Sequence, residues 1–173
     1  MRGALPLALL LLAAPLPAAA GAGKPITGTP SAREGDVLVV GGQEVRLYGI
    51  DAPDQGQRCE NVRGKDYDCF EVSRKALEVL AGTEPVSCET RPGGGRMQVG
   101  VCKRPDGQDI GAAMVLTGYA LAYRSVSTNY LREEAQAVSR RRGLWGGRVE
   151  PPWLWRSRQL EEKLNQRPTA MTR

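Results

Sequence analysis

The chain has 173 residues, a formal net charge of +5 and no histidine. Without an imidazole it cannot use Ser-His-Asp or Cys-His catalysis, so acid–base chemistry must fall to carboxylates, lysine, tyrosine or a metal-bound water. Residues 21–139 carry 14 basic and 16 acidic side chains, whereas residues 140–173 carry nine basic and three acidic ones. The C-terminal tail is therefore basic and suits either a phosphate partner or an anionic cell envelope.

Residues 1–20 have the composition of a cleavable signal peptide. Arg2 precedes a Leu/Ala-rich run that ends in three alanines, the order of parts found in such signals. An uncleaved anchor is the alternative, but the apolar run is short and holds three prolines. We therefore expect export to the periplasm or beyond the cell. Residues 21–32 are then predicted as a linker, 33–148 as one domain and 149–173 as a basic tail containing tryptophan.

The four cysteines predict two disulfides. An exported chain folds in an oxidising compartment, and the sequence has neither histidine nor the CxxC spacing typical of zinc sites. Four cysteines allow three pairings. We favour pairing in sequence order, because each pair then encloses a stretch rich in turn residues. The predicted pairs are Cys59 with Cys69 and Cys88 with Cys102.

The first predicted elements form a β-hairpin over residues 35–51. A β-branched run, Gly41-Gly42 and a second strand are typical of two strands joined by a two-residue turn. This register pairs Asp36 with Leu47, so Asp51 lies four residues beyond, or ~13 Å away in a flat ladder. That distance is too long for a shared ion. Only strong curvature, as in a small closed barrel, or a turn after Ile50 would bring the two carboxylates together.

The later elements alternate between helices and strands. Capping residues and glycine stops predict helices over 68–82, 109–118 and 128–143. A second hairpin sets Cys88 opposite Cys102 with Arg96 at its tip, and residues 119–124 form another strand. In the first helix the predicted apolar residues are Val72, Ala76, Val79 and Leu80; in the third they are Leu131, Ala135 and Val138. In the tail, Trp153, Leu160 and Leu164 are expected to share a helical face. The order of elements indicates an α+β fold with a small curled sheet.

Five segments together resemble the thermonuclease, or staphylococcal-nuclease-like, family. The matching segments are EGD (34–36), VRLYGIDAPD (45–54), GGGRMQVGVC (93–102), GYALAY (118–123) and EEAQAVSRRRGLW (133–145). The resemblance covers roughly residues 33–146. It implies a five-stranded OB-fold β-barrel with three α-helices, and the two-disulfide pattern is similar to a branch of exported bacterial proteins.

The resemblance also implies a calcium site. Asp36 and Asp51 match the family's calcium ligands, and the carbonyl of Ala52 is expected as a further oxygen donor for one ion. Calcium prefers such hard oxygen ligands and tolerates loose geometry.

The remaining matches imply a phosphodiesterase centre. Arg46 and Arg96 match the two arginines that hold the scissile phosphate, where a guanidinium can bind bidentately and stabilise developing charge. Asp54 occupies the position of the family's glutamate, which orients or deprotonates the attacking water. Tyr123 lies near a tyrosine that contacts the nucleotide, with the alignment shifted by one residue.

The sequence departs from the family pattern at three places. Val37 replaces a threonine, Asp54 is one methylene shorter than glutamate, and the glycines before Arg96 lack a tyrosine.

The resemblance as a whole predicts a monomeric, exported, calcium-dependent nuclease that cleaves DNA, RNA or both with little sequence preference. We expect its cleavage to be slow because of Asp54. The alternative is a catalytically impaired or inactive OB module that binds nucleic acid or an envelope protein.

Overall fold

The computed structural model describes residues 25–91 and 97–166, which form ten β-strands, four α-helices and one 3-10 helix. The strands are β1 (Ile26–Gly28), β2 (Ser31–Glu34), β3 (Val37–Val40), β4 (Gln43–Leu47), β5 (Ile50–Asp51), β6 (Arg58–Glu60), β7 (Asp66–Asp68), β8 (Val86–Arg91), β9 (Gln98–Lys103) and β10 (Leu121–Ala122). The helices are α1 (Cys69–Ala81), α2 (Ile110–Leu116), α3 (Leu131–Ser139), the 3-10 helix Gly143–Gly146 and α4 (Pro152–Asn165). The predicted signal peptide lies outside the described residues.

Six strands form the main sheet, in the order β1-β8-β9-β4-β3-β2. All neighbours in it are antiparallel except β4 and β9, which run parallel. The sheet is curled, so that Gly28 of the edge strand β1 packs directly against the turn that joins β3 and β4. A Cβ on Gly28 would lie only 2.7 Å from the backbone nitrogen of Gly41. Strands β5 with β10 and β6 with β7 form two small additional sheets. The predicted α+β class is confirmed.

The first hairpin has the predicted turn and register. Gly41 and Gly42 both have positive φ, 56° and 76°, as a type I′ turn requires. Val37 pairs with Arg46 in the ladder, and the amide of Leu47 donates to the carbonyl of Asp36 over 2.8 Å. The ladder leaves Arg46 partly exposed while Val45 and Leu47 on either side of it are buried in the core.

The first two helices begin at the predicted caps. The Asp68 side chain accepts from the amide of Glu71, and that of Asp109 accepts from the amide of Ala112. The predicted apolar face of α1 is partly wrong, however. Val72 and Val79 are exposed, and the most buried positions of α1 include Leu77 and Ala81.

Helix α3 differs from its prediction in length and in orientation. It ends at Ser139 rather than Gly143, and Arg141 adopts a positive φ of 51° just beyond it. Its buried positions are Glu134 and Ala137 rather than Ala135 and Val138. The buried Glu134 carboxylate accepts from the amide of Ala122 over 2.9 Å. Because the Ala122 amide needs an acceptor, Glu134 faces the interior and the apolar Ala135 and Val138 face solvent.

Both disulfides join the predicted cysteines, Cys59 to Cys69 and Cys88 to Cys102. The sheet begins within the predicted linker segment 21–32, since β1 covers Ile26–Gly28 and β2 begins at Ser31. No helix within residues 25–91 and 97–166 combines the length and apolar character needed to cross a bilayer.

Candidate active site

The turn between β2 and β3 carries Asp36 into the interior. Gly35 makes this possible, since a Cβ there would lie 2.7 Å from the Cβ of Ala52 and 2.8 Å from that of Ser73. Only a residue without a side chain lets the turn approach so closely. Asp36 is consequently just 3% exposed and lies beside the segment that carries Asp51.

A second turn brings Asp51 to the same place. The chain turns at Tyr48-Gly49, where Gly49 has a φ of 78°, and then enters β5. The sequence predicts either strong curvature of the sheet or a turn after Ile50; the turn that the structure shows lies before that residue. Asp51 pairs with Leu121 of β10 and is 3% exposed. The two carboxylates that a flat ladder would separate are therefore gathered by two turns.

The electrostatics of Asp36 reflect this burial. The pKa of its carboxyl is raised to about 7, and removal from water is the largest cause. The Arg46 guanidinium lowers this pKa, whereas the carboxylates of Asp51 and Glu34 raise it. A buried carboxylate with further carboxylates nearby is a site that a cation would stabilise.

Arg46 reaches the same cluster from β4. Its Nη1 donates to Oδ2 of Asp36 over 2.5 Å, and its Nη2 donates to Oε2 of Glu34 over 3.4 Å. The side chain remains 39% exposed, so part of the guanidinium faces solvent at the edge of the acidic cluster. The sequence motifs did not single out Glu34 for a role in the site, although it belongs to the matched segment EGD.

Helix α4 supplies an arginine that the sequence motifs did not reveal. Arg156 donates to both oxygens of Asp51, over 3.1 Å from Nη1 and 2.7 Å from Nη2. Its Nη1 also donates to Oδ2 of Asp54 over 2.8 Å. The hydrogen bond to Asp51 raises the pKa of Arg156 further. The only sequence signal for this contact was the basic, tryptophan-containing character of the tail.

Asp54 lies at the rim of the cluster, with its side chain 30% exposed. Partial burial raises its pKa, and Arg156 opposes the rise. Gln57 fixes the backbone here, because its side-chain oxygen accepts from the Asp54 amide and its nitrogen donates to the carbonyl of Glu150. Gln57 is fully buried, and no motif predicted this link between the site and the tail.

Tyr123 borders the site but also contacts α4. Its ring stacks on Trp153 with centroids 5.5 Å apart. Tyr123 and Arg46 help to line a cavity of about 300 Å³ that also includes Tyr48 and Arg91. The Arg91 guanidinium lies 4.2 Å from the centroid of the Tyr48 ring.

The donor chemistry of the cluster fits calcium. Asp36 and Asp51 are buried carboxylates in electrostatic contact, and the backbone carbonyl of Ala52 follows directly in the chain. Among residues 25–91 and 97–166, no three acidic or cysteine side chains are arranged as a ready metal-binding group. A calcium ion bound here would therefore complete its six to eight ligands with carbonyl oxygens and water.

The structure brings together Asp36, Arg46, Asp51, Ala52 and Asp54 from the predicted set. Arg96 lies outside the described residues, so its position relative to this cluster stays a prediction.

Comparison with known proteins identifies related chains. A family model described as "Staphylococcal nuclease homologue" matches residues 44–147. The "Succinoglycan biosynthesis protein ExoI" of Rhizobium meliloti (strain 1021) is 36% identical over 135 residues, covering 76% of this chain and 70% of that protein. Proteins named "Uncharacterized endonuclease" in Escherichia coli O157:H7 and in Escherichia coli are each 32% identical over 117 residues, covering 66% of this chain and 71% of the relative. The chain belongs to the staphylococcal nuclease family.

Proposed function

We propose that this protein is an exported, calcium-dependent nuclease that hydrolyses phosphodiester bonds of DNA, RNA or both with little sequence preference. The observation that carries the proposal is the gathering of Asp36, Arg46, Asp51 and Asp54 in one cluster, where Arg46 donates to Asp36 and the carboxylates of Asp36 and Asp54 both lie in electrostatic contact with Asp51. Family membership and the endonuclease names of two relatives support a nuclease. Two disulfides are typical of proteins that fold outside the reducing cytosol and support export.

In this proposal, each residue of the cluster has a chemical role. Arg46 binds the scissile phosphate through the part of its guanidinium that faces solvent and stabilises the charge that develops during attack. Arg96, which follows β8 and precedes β9 in the sequence, is proposed as the second phosphate ligand. Asp54 orients the attacking water and accepts its proton.

Asp36, Asp51 and the carbonyl of Ala52 are proposed to hold one calcium ion. When bound, the ion would neutralise negative charge on the phosphate and make a water molecule a better nucleophile. The cavity beside Arg46 is proposed to take the nucleotide next to the scissile bond, with Tyr123 at its edge. The tyrosine and arginine side chains that line this cavity offer stacking surface and positive charge, which bind nucleic acid with little dependence on sequence.

The proposal is tested by incubating the purified protein with single-stranded DNA and with RNA, in calcium and in chelator. We expect fragments in calcium only, and a loss of at least a hundredfold in cleavage rate for Arg46→Ala, because one phosphate ligand is removed. Arg63→Ala is the control, since Arg63 is exposed in the turn between β6 and β7, outside the cluster. Equal rates for wild type and Arg46→Ala would contradict the proposal.

A second candidate function is a catalytically inactive module that binds nucleic acid or an envelope protein. Two observations favour it: Asp54 is shorter than the family's glutamate, and Arg156 already engages both Asp51 and Asp54. The same assay separates the two, because the module would retard labelled DNA on a gel without producing fragments.

A further inference from the structure

Helix α4 places a positive charge at the position where the cation is expected. Both oxygens of Asp51 accept from Arg156, and one oxygen of Asp54 accepts from the same guanidinium. Asp51 has only 5% of its side chain exposed, whereas that of Arg156 is 41% exposed. The helix therefore delivers the guanidinium from the solvent side onto a buried carboxylate.

Several contacts fix α4 in this place. Trp153 stacks on Tyr123, and Gln57 donates to the carbonyl of Glu150 just before the helix over 2.7 Å. Arg148 and Glu60 exchange two backbone hydrogen bonds, of 2.9 and 3.0 Å. The contact of Arg156 with the acidic cluster is thus one part of a larger docked surface and does not depend on one exposed ion pair.

The charges of the site make Arg156 and a divalent cation competitors. Two positive groups at one buried carboxylate repel each other, and the repulsion is stronger than in bulk water because the site is partly desolvated. A guanidinium that uses both oxygens of Asp51 also occupies lone pairs that a calcium ion would take. Asp54 adds a third hydrogen bond that holds the guanidinium there.

We propose that Arg156 is a residue of the active site that sets how tightly the site binds a divalent cation, by competing with it for Asp51. This inference rests on the proposed calcium site but concerns a residue outside the matched family segments. In this protein the affinity for calcium is then lowered by a group from its own C-terminal helix, so that a higher calcium concentration is needed to load the site than the buried carboxylates alone would require.

The test measures calcium binding to the full chain by isothermal titration calorimetry. Arg156→Gln is expected to bind calcium at least about tenfold more tightly than wild type, because a shorter, neutral polar side chain removes the competing charge from Asp51. Arg156→Lys keeps the charge without the planar fork and is expected to lie between the two. Arg158→Gln is the matched control: Arg158 is on the same helix and pairs with Glu150 and Glu162, outside the acidic cluster.

A second measurement distinguishes a change in calcium binding from a change in the stability of the variant. The rise in melting temperature between chelator and excess calcium is expected to be larger for Arg156→Gln than for wild type, even where its melting temperature in chelator is lower. Calcium affinity equal to or weaker than that of wild type, in both Arg156 variants, would overturn the inference and make Arg156 a support for Asp51 instead.

The two proposals fail separately. Tighter calcium binding by Arg156→Gln without any cleavage of nucleic acid would refute the nuclease and retain the competition. Calcium-dependent cleavage that needs Arg46, with calcium affinity unchanged in the Arg156 variants, would do the reverse.

Discussion

Asp54 is the residue at which the proposed chemistry is least well matched to the family. Its carboxylate is one methylene shorter than the glutamate it replaces, and one of its oxygens accepts from Arg156. A displacement of about 1 Å can reduce a rate on the order of a hundredfold. At the residue scale, the rate of cleavage under the proposed function therefore depends on how far the Asp54 carboxylate reaches toward the attacking water.

Restoring the longer side chain with Asp54→Glu is expected to raise calcium-dependent cleavage by about tenfold or more, because the carboxylate reaches closer to the water. The initial rate on single-stranded DNA measures this. Asp54→Asn is the control that keeps the shape and removes the base, and it should lower the rate. A Glu variant that is no faster than wild type would mean that Asp54 does not orient the water.

Asp36 gives a prediction about stability without metal. Burial raises its folded-state pKa to about 7 from the ordinary aspartate value of 3.8. Since the folded state then binds the proton more tightly than the unfolded state, stability is greatest below about pH 4 for this group and falls as the pH rises toward 7. The slope contributed by the one proton is at most about 1.4 kcal/mol per pH unit.

We expect Asp36→Asn, measured by urea unfolding in chelator between pH 4 and 8, to lose this decline. Asp106→Asn is the control, because the Asp106 carboxylate is 58% exposed and should leave the pH dependence as in wild type. An unchanged decline in Asp36→Asn would show that other groups cause it.

At the scale of elements, α4 links the basic tail to the site. Its contact is built from one aromatic stack, the buried amide of Gln57 and the ion pairs of Arg156, while its leucines face solvent. The helical face predicted for Trp153, Leu160 and Leu164 packs on the domain only through Trp153, since Leu160 and Leu164 are 59% and 53% exposed. Aromatic stacking and charge, rather than an apolar stripe, hold this helix.

Trp153→Ala is expected to lower the free energy of unfolding by about 2 kcal/mol, through lost burial and the lost stack on Tyr123. Urea unfolding followed by circular dichroism measures the change. Leu160→Ala, on the same helix but exposed, should change stability by less than about 0.5 kcal/mol. Equal effects of the two substitutions would contradict the observed docking.

At the scale of the whole molecule, the curled sheet and two disulfides hold the turns that build the site. Cys88 and Cys102 are paired across neighbouring strands β8 and β9 and are both fully buried. The loop that they close spans residues 89–101 and contains Arg96. This disulfide therefore ties the second hairpin to the core of the sheet.

Replacing Cys88 and Cys102 together by alanine is expected to reduce the free energy of unfolding by about 3 kcal/mol, the value for a cross-link that closes a loop of roughly 15 residues. Chemical denaturation of the variant measures it, and wild type treated with reductant provides the comparison. A loss below about 0.5 kcal/mol would mean that the packing of β8 on β9 suffices without the bond.

Much of this protein is determined by local sequence. The Gly41-Gly42 turn and the Asp68 and Asp109 caps follow from backbone preferences and hydrogen bonding within a few residues. The register that sets Cys88 opposite Cys102 joins two strands that are neighbours along the chain. The matched segments also identified most of the acidic cluster, because residue types and order along the chain are directly visible in a sequence.

Other features were decided only by tertiary structure. Asp36 and Asp51 meet because Gly35 packs on Ala52 and the chain turns at Tyr48-Gly49, whereas hydrophobic periodicity contains no information about either contact. Glu134 faces the interior because its carboxylate accepts from the backbone amide of Ala122 in β10. Arg156 reaches Asp51 across 105 positions of sequence, and a contact of that range depends on how the whole chain packs, which no local pattern records.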